Sequence, residues 1–387
     1  MTTSVVAWPT KTLAELGGKV TSGSRGWAAH YSEHGSLFVR ITNLTRDRIR
    51  LDLANPRFVE VDQRDAEAIR TRLAPGDLLV SITADIGIIG YVDEGVPSPA
   101  YINQHIARVR LDPHLADSRF VAYYLSSWGP QRAFVGSTDT GAKAGMNLAT
   151  VARLETAVPT LGEQTKIAEA LVDVDDLIAT LERLIAKKQA IKHGMMQQLL
   201  AGRTRLPGFT GEWTDMRLGD VLTVRHGRNQ RSVESRAGTV PILATGGQIG
   251  WADRPLYSKP SVLIGRKGTI DRPQYQSRPF WTVDTLFYTE IAAEADPRFL
   301  YYVFQTIDWR SMNEASGVPS LSSTRIEGVE VRLPDLAEQV TIREALDDAT
   351  AEITALDARL TKVRAIKTGM MQQLLTGCVR LRVEAAS

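Results

Sequence analysis

One close duplication constrains this chain more than any other feature. Ile191–Leu206 reads IKHGMMQQLLAGRTRL and Ile366–Leu381 reads IKTGMMQQLLTGCVRL, identical at 12 of 16 positions at an offset of 175. The offset holds without a gap back to Pro159 and Pro334, pairing Leu161 with Leu336, Glu163 with Glu338, Gln164 with Gln339, Ile167 with Ile342 and Leu171 with Leu346. An internal repeat of this kind fixes the architecture before any local reading. The plan is variable, constant, variable, constant: residues 1–158, 159–203, 204–333 and 334–387.

The constant blocks read as long helices. Pro159 and Pro334 stand just upstream, where proline is tolerated, and none interrupts Thr165–Leu200 or Thr341–Leu375. Apolar residues recur in 4-3 alternation at Ile167, Leu171, Val174, Ile178, Leu181 and Ile185, and again at Ile342, Leu346, Ala349, Ile353, Leu356, Leu360 and Val363. That narrow stripe is a coiled-coil seam. Met195, Met196, Met370 and Met371 extend it, and their flexible side chains suit packing first and partner docking second.

Charge and reach both favour an antiparallel pair. Each helix is acidic early (Glu169, Asp173, Asp175, Asp176; Glu344, Asp347, Asp348, Glu352) and basic late (Lys187, Lys188, Lys192; Arg359, Lys362, Arg364, Lys367). Laid antiparallel, acid faces base at both ends; laid parallel, like faces like. The same split also complements the helix macrodipole. Reach is independent of charge. A segment of residues 204–333 has a radius of gyration of about 14 Å, too small to carry the chain back along a helix of about 54 Å.

The variable segments carry short β-branched or apolar runs, such as Leu78–Ile82, Ile86–Val92, Pro241–Ala244 and Val262–Ile264, with helices expected at Ser118–Trp128 and Pro297–Trp309. The fold expected is α+β: two globular mixed α/β domains joined by two long helices in an antiparallel coiled coil with pseudo-two-fold symmetry. Such a geometry is a ruler suited to two half-sites along a duplex. Diverged variable segments imply that the half-sites differ.

Composition removes several other classes. The lone cysteine, Cys378, excludes an internal disulfide, no apolar run reaches membrane-spanning length, and the first residues lack the order of a signal peptide, so a cytoplasmic protein without a membrane partner is expected. Gly17-Gly-Lys-Val20 fails as a P-loop, and Asn55-Pro-Arg-Phe58 lacks the second proline of an amino-methyltransferase motif. His30 and His34 have no further ligands near them, so no metal site and no catalytic residue is expected. A net charge of +2 would ordinarily argue against nucleic acid, but arginines cluster locally. One cluster holds Arg40, Asn43, Arg46, Arg48, Arg50 and Arg57, a second Arg225, Arg228, Asn229, Arg231 and Arg236, and a third Arg266, Lys267, Arg272 and Arg278. Arginine with Asn or Gln on loops is what base-edge reading requires, although a single exposed arginine is more often simply solvated.

The alternating plan, the matched stretches Pro159-Thr-Leu-Gly-Glu-Gln164 and Pro334-Asp-Leu-Ala-Glu-Gln339, and the twin Gly-Met-Met-Gln-Gln-Leu-Leu runs resemble the specificity subunit of type I restriction-modification enzymes over nearly the whole chain. Tyr101-Ile-Asn103-Gln104 is similar to an Asn-Gln stretch in many such recognition domains. Pro241–Gly250, with Gln248, and Leu263–Gly268 look like a glycine-rich subclass that the first domain does not share. The resemblance implies a non-catalytic subunit that binds double-stranded DNA, with two methyltransferase subunits and further restriction subunits as partners. S-adenosylmethionine, ATP and magnesium would be used by those partners, none by this chain. The alternatives are the specificity chain of a methyltransferase-only or related restriction system, and a coiled-coil scaffold that binds only proteins. On this reading the DNA-contact candidates are Arg40, Asn43, Arg46, Arg48, Asn103, Gln104, Arg225, Arg228, Asn229, Arg231, Gln248, Arg266 and Lys267. The helix-pair and partner-interface candidates are Ile167, Leu171, Ile178, Leu181, Met195, Met196, Ile342, Leu346, Ile353, Leu356, Met370 and Met371.

The ruler has a direct consequence. Deleting one heptad from both helices shortens them by about 10 Å, or about three base pairs. Sequencing the methylated sites of the deletion variant should show a spacer shorter by that amount, and an unchanged spacer would exclude the ruler.

Overall fold

The computed structural model describes residues 8–136 and 145–381; residues 382–387 of the C-terminal tail lie outside them. Two compact units divide the chain, one from residues 1–182 with 359–387 and the other from residues 183–358. Each unit takes half of each long helix.

The first unit runs through β1 (Thr10–Thr12), β2 (Lys19–Ser22), β3 (Tyr31–Ser32), β4 (Ser36–Val39), β5 (Phe58–Val59), α1 (Ala66–Thr71), β6 (Leu78–Ser81), β7 (Ile89–Tyr91), β8 (Ala100–Ile102), β9 (Ile106–Arg110), α2 (Ser118–Ser126), α3 (Trp128–Gly136), α4 (Leu148–Ala152) and β10 (Glu155–Ala157) before entering α5 (Leu161–Leu199). The second continues with β11 (Thr214–Arg217), α6 (Leu218–Val221), β12 (Leu222–Arg225), β13 (Val240–Ala244), β14 (Gly247–Ala252), β15 (Ser261–Gly265), β16 (Gln274–Gln276), β17 (Trp281–Thr282), β18 (Leu286–Ile291), α7 (Pro297–Thr306), α8 (Ser323–Glu327) and β19 (Glu330–Leu333), and then α9 (Leu336–Leu374).

The two units share one topology despite their diverged sequences. Strand order β2-β9-β6-β7 in the first becomes β12-β18-β15-β16 in the second, and the β1-β10 pair becomes β11-β19. A second sheet is β3-β5-β4-β8 in one and β14-β13-β17 in the other, each containing one parallel pair, β4 with β8 and β13 with β17. The predicted helices near Ser118 and Pro297 are α2 and α7, each capped by an aspartate, Asp117 or Asp296, whose carboxylate accepts from the first turn. Both pack into the main core of their own unit with the long-helix seam.

The repeated Pro-x-Leu-x-Glu-Gln motif proves to be a junction. Thr160 and Glu163 exchange bonds as a capping box, and Asp335 accepts from Glu338 N at 2.9 Å, so each motif starts its helix. The same glutamates are buried and each receives a two-pronged guanidinium: Arg380 on Glu163 at 2.7 and 2.8 Å, Arg205 on Glu338 at 2.6 Å twice. Gln164 donates to Pro159 O and accepts from Asp117 N, and Gln339 does the same with Pro334 and Asp296, all at 2.9 Å. What brings each arginine into place is a glycine. Gly202 (φ 64°) and Gly377 (φ 73°) end the long helices in the left-handed region, turning the chain back so that Arg205 lies over Trp213 and Arg380 over Trp8.

The helix pairing is antiparallel in both units, as charge and reach require. Asp175 meets Lys367 at 2.6 Å and Glu182 meets Arg364 at 2.7 Å in the first; Lys188 meets Glu352 at 2.7 Å in the second. Ile167, Leu171, Leu181, Ile342, Leu346, Leu360 and Val363 are buried along the seam, and Ile178, Ile353 and Leu356 are half-buried. Met196 is buried, while Met195, Met370 and Met371 are half-buried against the cores. The acidic helix halves also hold their own globules: Tyr123 donates to Asp175 at 2.7 Å and Tyr302 to Asp347 at 2.6 Å. Burial, reinforced by the Asp175 carboxylate, drives the Tyr123 phenol far above its ordinary range. Burial together with the bond to Asp347 pushes Tyr302 up to about 12. Both therefore remain donors throughout the physiological range.

Leu171 and Leu346 occupy equivalent seam positions at 0% exposure. Replacing either with alanine should cost about 2–5 kcal/mol in denaturant unfolding, whereas Leu177→Ala, at 37% exposure, should stay within about 0.5 kcal/mol.

Candidate nucleic-acid interface

In the second unit the sequence-predicted loops converge on one short segment, Thr282–Thr285. Gly227 passes so close that a Cβ there would lie 2.0 Å from Val283 O. Next to it, Arg228 N donates to Thr282 O at 2.8 Å and Trp281 Nε1 returns to Arg228 O at 2.8 Å. From the opposite side, Arg266 N donates to Thr285 O at 2.8 Å, and the turn beyond it is held by Gly268 at φ 88°. The hairpin between β13 and β14, which carries Gln248, closes the group through Val283 N to Leu243 O and Gln274 Nε2 to Ala244 O, both at 3.1 Å.

Arg228, Asn229, Arg231, Lys267 and Gln248 are thus exposed around one edge of this globule. Arg266 is half-buried and its guanidinium reaches Asp284 O at 3.4 Å. Arg225 is engaged elsewhere, paired with Glu290 at 2.9 Å, which raises its pKa. Asn229 accepts from Arg231 N at 2.9 Å through Oδ1. An edge with guanidinium and ammonium groups that have no ion pair among the described residues, and with carboxamides only partly bonded, can meet phosphate oxygens and hydrogen-bond base edges at once.

The first unit distributes its candidates differently. Arg48 and Arg50 turn toward α5, meeting Glu182 at 4.0 Å and Asp176 at 2.5 Å, and Arg50 also pairs with Asp93 at 2.8 Å. Arg46 is bound to Asp85, Gln131 and Ile86 O. Asn43 is buried, accepting from Arg40 N and donating to Asp52 O, and Arg40 reaches Asn55 O at 3.3 Å. The cluster that looks like a free basic patch in sequence is largely engaged within its own unit. Asn103 and Gln104 lie between β8 and β9, the place that Val283 and Asp284 hold between β17 and β18. Asn103 accepts from His105 N at 3.2 Å, and Gln104 is exposed.

Among the described residues no group of three or more His, Cys, Asp or Glu could hold a metal ion, and no helix is long and apolar enough to cross a membrane.

Comparison with known proteins defines the class. The family described as type I restriction modification DNA specificity domain matches residues 68–193 and 210–364. A curated relative, the putative type I restriction enzyme MjaX specificity subunit of Methanocaldococcus jannaschii, is 21% identical over 379 residues, covering 90% of this chain and 88% of its own. The type I restriction enzyme EcoDI specificity subunit of Escherichia coli is 21% identical over 167 residues, 43% of this chain and 37% of that protein. The S subunit of the type I restriction-modification system of M. genitalium shares the fold at a TM-score of 0.68 and 16% identity, covering 97% of this chain and 98% of that one. A chain solved in work on complex assembly and conformational transition of the type I R-M system gives a TM-score of 0.55 at 16% identity, with 97% and 99% covered. The chain belongs to the type I restriction-modification specificity family.

The arrangement of the second edge leads to a measurable expectation for the chain loaded with its partners. Replacing Arg228, Arg266 and Lys267 with glutamine should flatten the salt dependence of duplex binding by about 0.9 for each cation that meets a phosphate. Arg225→Gln, which removes an ion-paired group, should change that slope least.

Proposed function

We propose that this chain is the non-catalytic DNA-recognition subunit of a type I restriction-modification complex. It reads a bipartite, asymmetric target, one half-site per globular unit, and docks methyltransferase subunits and, through them, restriction subunits. The observation that carries the reading is the pairing of one topology with two chemistries. The strand order repeats, yet the edge beside β17 presents Arg228, Asn229, Arg266 and Lys267, while the edge beside β8 presents Asn103 and Gln104. Scaffolds kept alike with loops made different are expected where two unlike sequences are read by the same means.

Partner docking has its own support. Leu161 and Leu336 are 40% and 41% exposed, and Ile191 and Ile366 are 46% and 47% exposed. These are equivalent positions of the repeat, and each unit holds one leucine and one isoleucine of the set. Large apolar side chains left exposed twice in the same places fit two copies of one protein partner. The seam residues expected at the helix pair and partner interface are buried or half-buried along the helices, and these four outward residues are added as docking candidates.

Co-expression with its methyltransferase partner, followed by mapping of methylated adenines, tests the reading. Replacing residues 213–333 with another recognition domain should change one half-site and leave the other intact. A change in both halves would exclude modular recognition, and no methylation of any defined sequence would exclude recognition altogether.

A further inference from the structure

The two units can be superposed residue by residue through their backbone bonds, without using sequence identity. Ser24 N donates to Ile102 O as Arg228 N does to Thr282 O; Asn103 N donates to Val39 O as Val283 N does to Leu243 O. Ile82 N donates to His105 O as Arg266 N does to Thr285 O, and Met146 N closes on Ile82 O as Leu321 N does on Arg266 O. A Cβ on Gly23 would meet Asn103 O at 2.0 Å, the same separation as Gly227 from Val283 O. Arg25 therefore stands where Asn229 stands, Thr83 where Lys267 stands, and Gln104 where Asp284 stands.

Two further observations mark this as more than a shared scaffold. Ala84 takes the position of Gly268 and retains a left-handed backbone, φ 60° against 88°. A residue with a Cβ is held in this region only when its surroundings over-determine the conformation, and such strain concentrates at functional loops. Charge is the second. Arg46, Arg48 and Arg50 are each ion-paired, whereas Arg25 is exposed and has no ion-pair or hydrogen-bond partner among the described residues. Beside it, Thr83 Oγ1 and His105 Nδ1 lie 2.6 Å apart and His105 Nε2 is 3.5 Å from Gln104 Nε2. This leaves Gln104 Oε1 and one amide hydrogen available to a base edge.

We propose that the first unit contacts its half of the duplex through Arg25 and Gln104, with Thr83 and His105 as positioning residues, and not through Arg46, Arg48 and Arg50. The proposal rests on the DNA-recognition reading above and adds the residues that carry it in this unit. Arg25 can bond a guanine edge or a phosphate, and Gln104 an adenine edge. With Arg25 as the cation at this edge, where the second unit has Arg228, Arg266 and Lys267, the first unit should contribute the smaller share of salt dependence.

The test uses the full chain in complex with its methyltransferase partner, comparing wild type, Arg25→Ala, Gln104→Ala and the double variant Arg46→Ala with Arg48→Ala. Methylated motifs and the salt dependence of binding to a cognate duplex are measured together. Arg25→Ala and Gln104→Ala should each weaken discrimination about tenfold in one half-site while the other half-site keeps its sequence. Both side chains are exposed, so folding should be unaffected. If both variants methylate the wild-type motif with the wild-type salt slope, the proposal is overturned; relaxation of that half-site by the Arg46/Arg48 variant alone would overturn it in favour of the arginine-rich stretch. Absence of sequence-specific methylation by the wild-type complex is a separate failure, overturning the recognition reading itself.

Discussion

Everything in this molecule hangs on a buried carboxylate at the start of each long helix. Glu163 and Glu338 each stand in the first turn of a helix capped by Thr160 or Asp335, receive a two-pronged arginine from the segment beyond the other helix, and sit one residue before a glutamine that binds the cap of α2 or α7. A buried carboxylate without its cation is strongly destabilising, because desolvation is then uncompensated. Only an antiparallel pairing brings Arg380 to Glu163 and Arg205 to Glu338, so the two clamps enforce register as well as stability. The two copies are not identical in strength. Trp213 Nε1 donates a further bond to Glu338 at 3.2 Å, whereas Trp8 Nε1 is buried with no hydrogen-bond partner among the described residues.

The clamps also explain which parts of the repeat are free to vary. Glutamate, glutamine, the left-handed glycine and the clamping arginine recur at the same offset because each makes the same bond twice. Both globules present a capped α2 or α7 and an acid-seeking tyrosine to the helix, which Tyr123 and Tyr302 do through different carboxylates, Asp175 and Asp347, and the first adds Arg48 and Arg50 on Glu182 and Asp176. Loops at the far edge of the sheets take no part in that attachment, so their side chains can change without loosening the frame.

What could be read from sequence follows the range of the interactions. The long helices, their seam and their direction were legible because periodicity and charge run along contiguous residues, and α2 and α7 because their apolar residues fall in one short run. The fate of the first arginine cluster was not legible. Arg48 and Arg50 look free until α5 brings Glu182 and Asp176 beside them from more than a hundred residues away in the chain. Arg25 escaped for the opposite reason. It stands alone between Ser24 and Gly26 with no pattern around it, and its equivalence to Asn229 exists only in backbone bonds. The role of Glu163 and Glu338 was likewise hidden, since the repeat marks them as retained without showing that their partners come from the opposite helix end.

The clamps also impose an order on synthesis. The second unit is a continuous stretch, residues 183–358, and holds both Glu338 and its partner Arg205. The first unit needs the stretch from residue 359 to Arg380 to be complete, because Arg380, Lys367 and Leu374 cover Glu163, Asp175 and the core around Leu171. During translation the later-encoded unit can therefore close first. The amino-terminal globule, although made earlier, keeps an open flank and an unpaired buried acid until Arg380 has emerged.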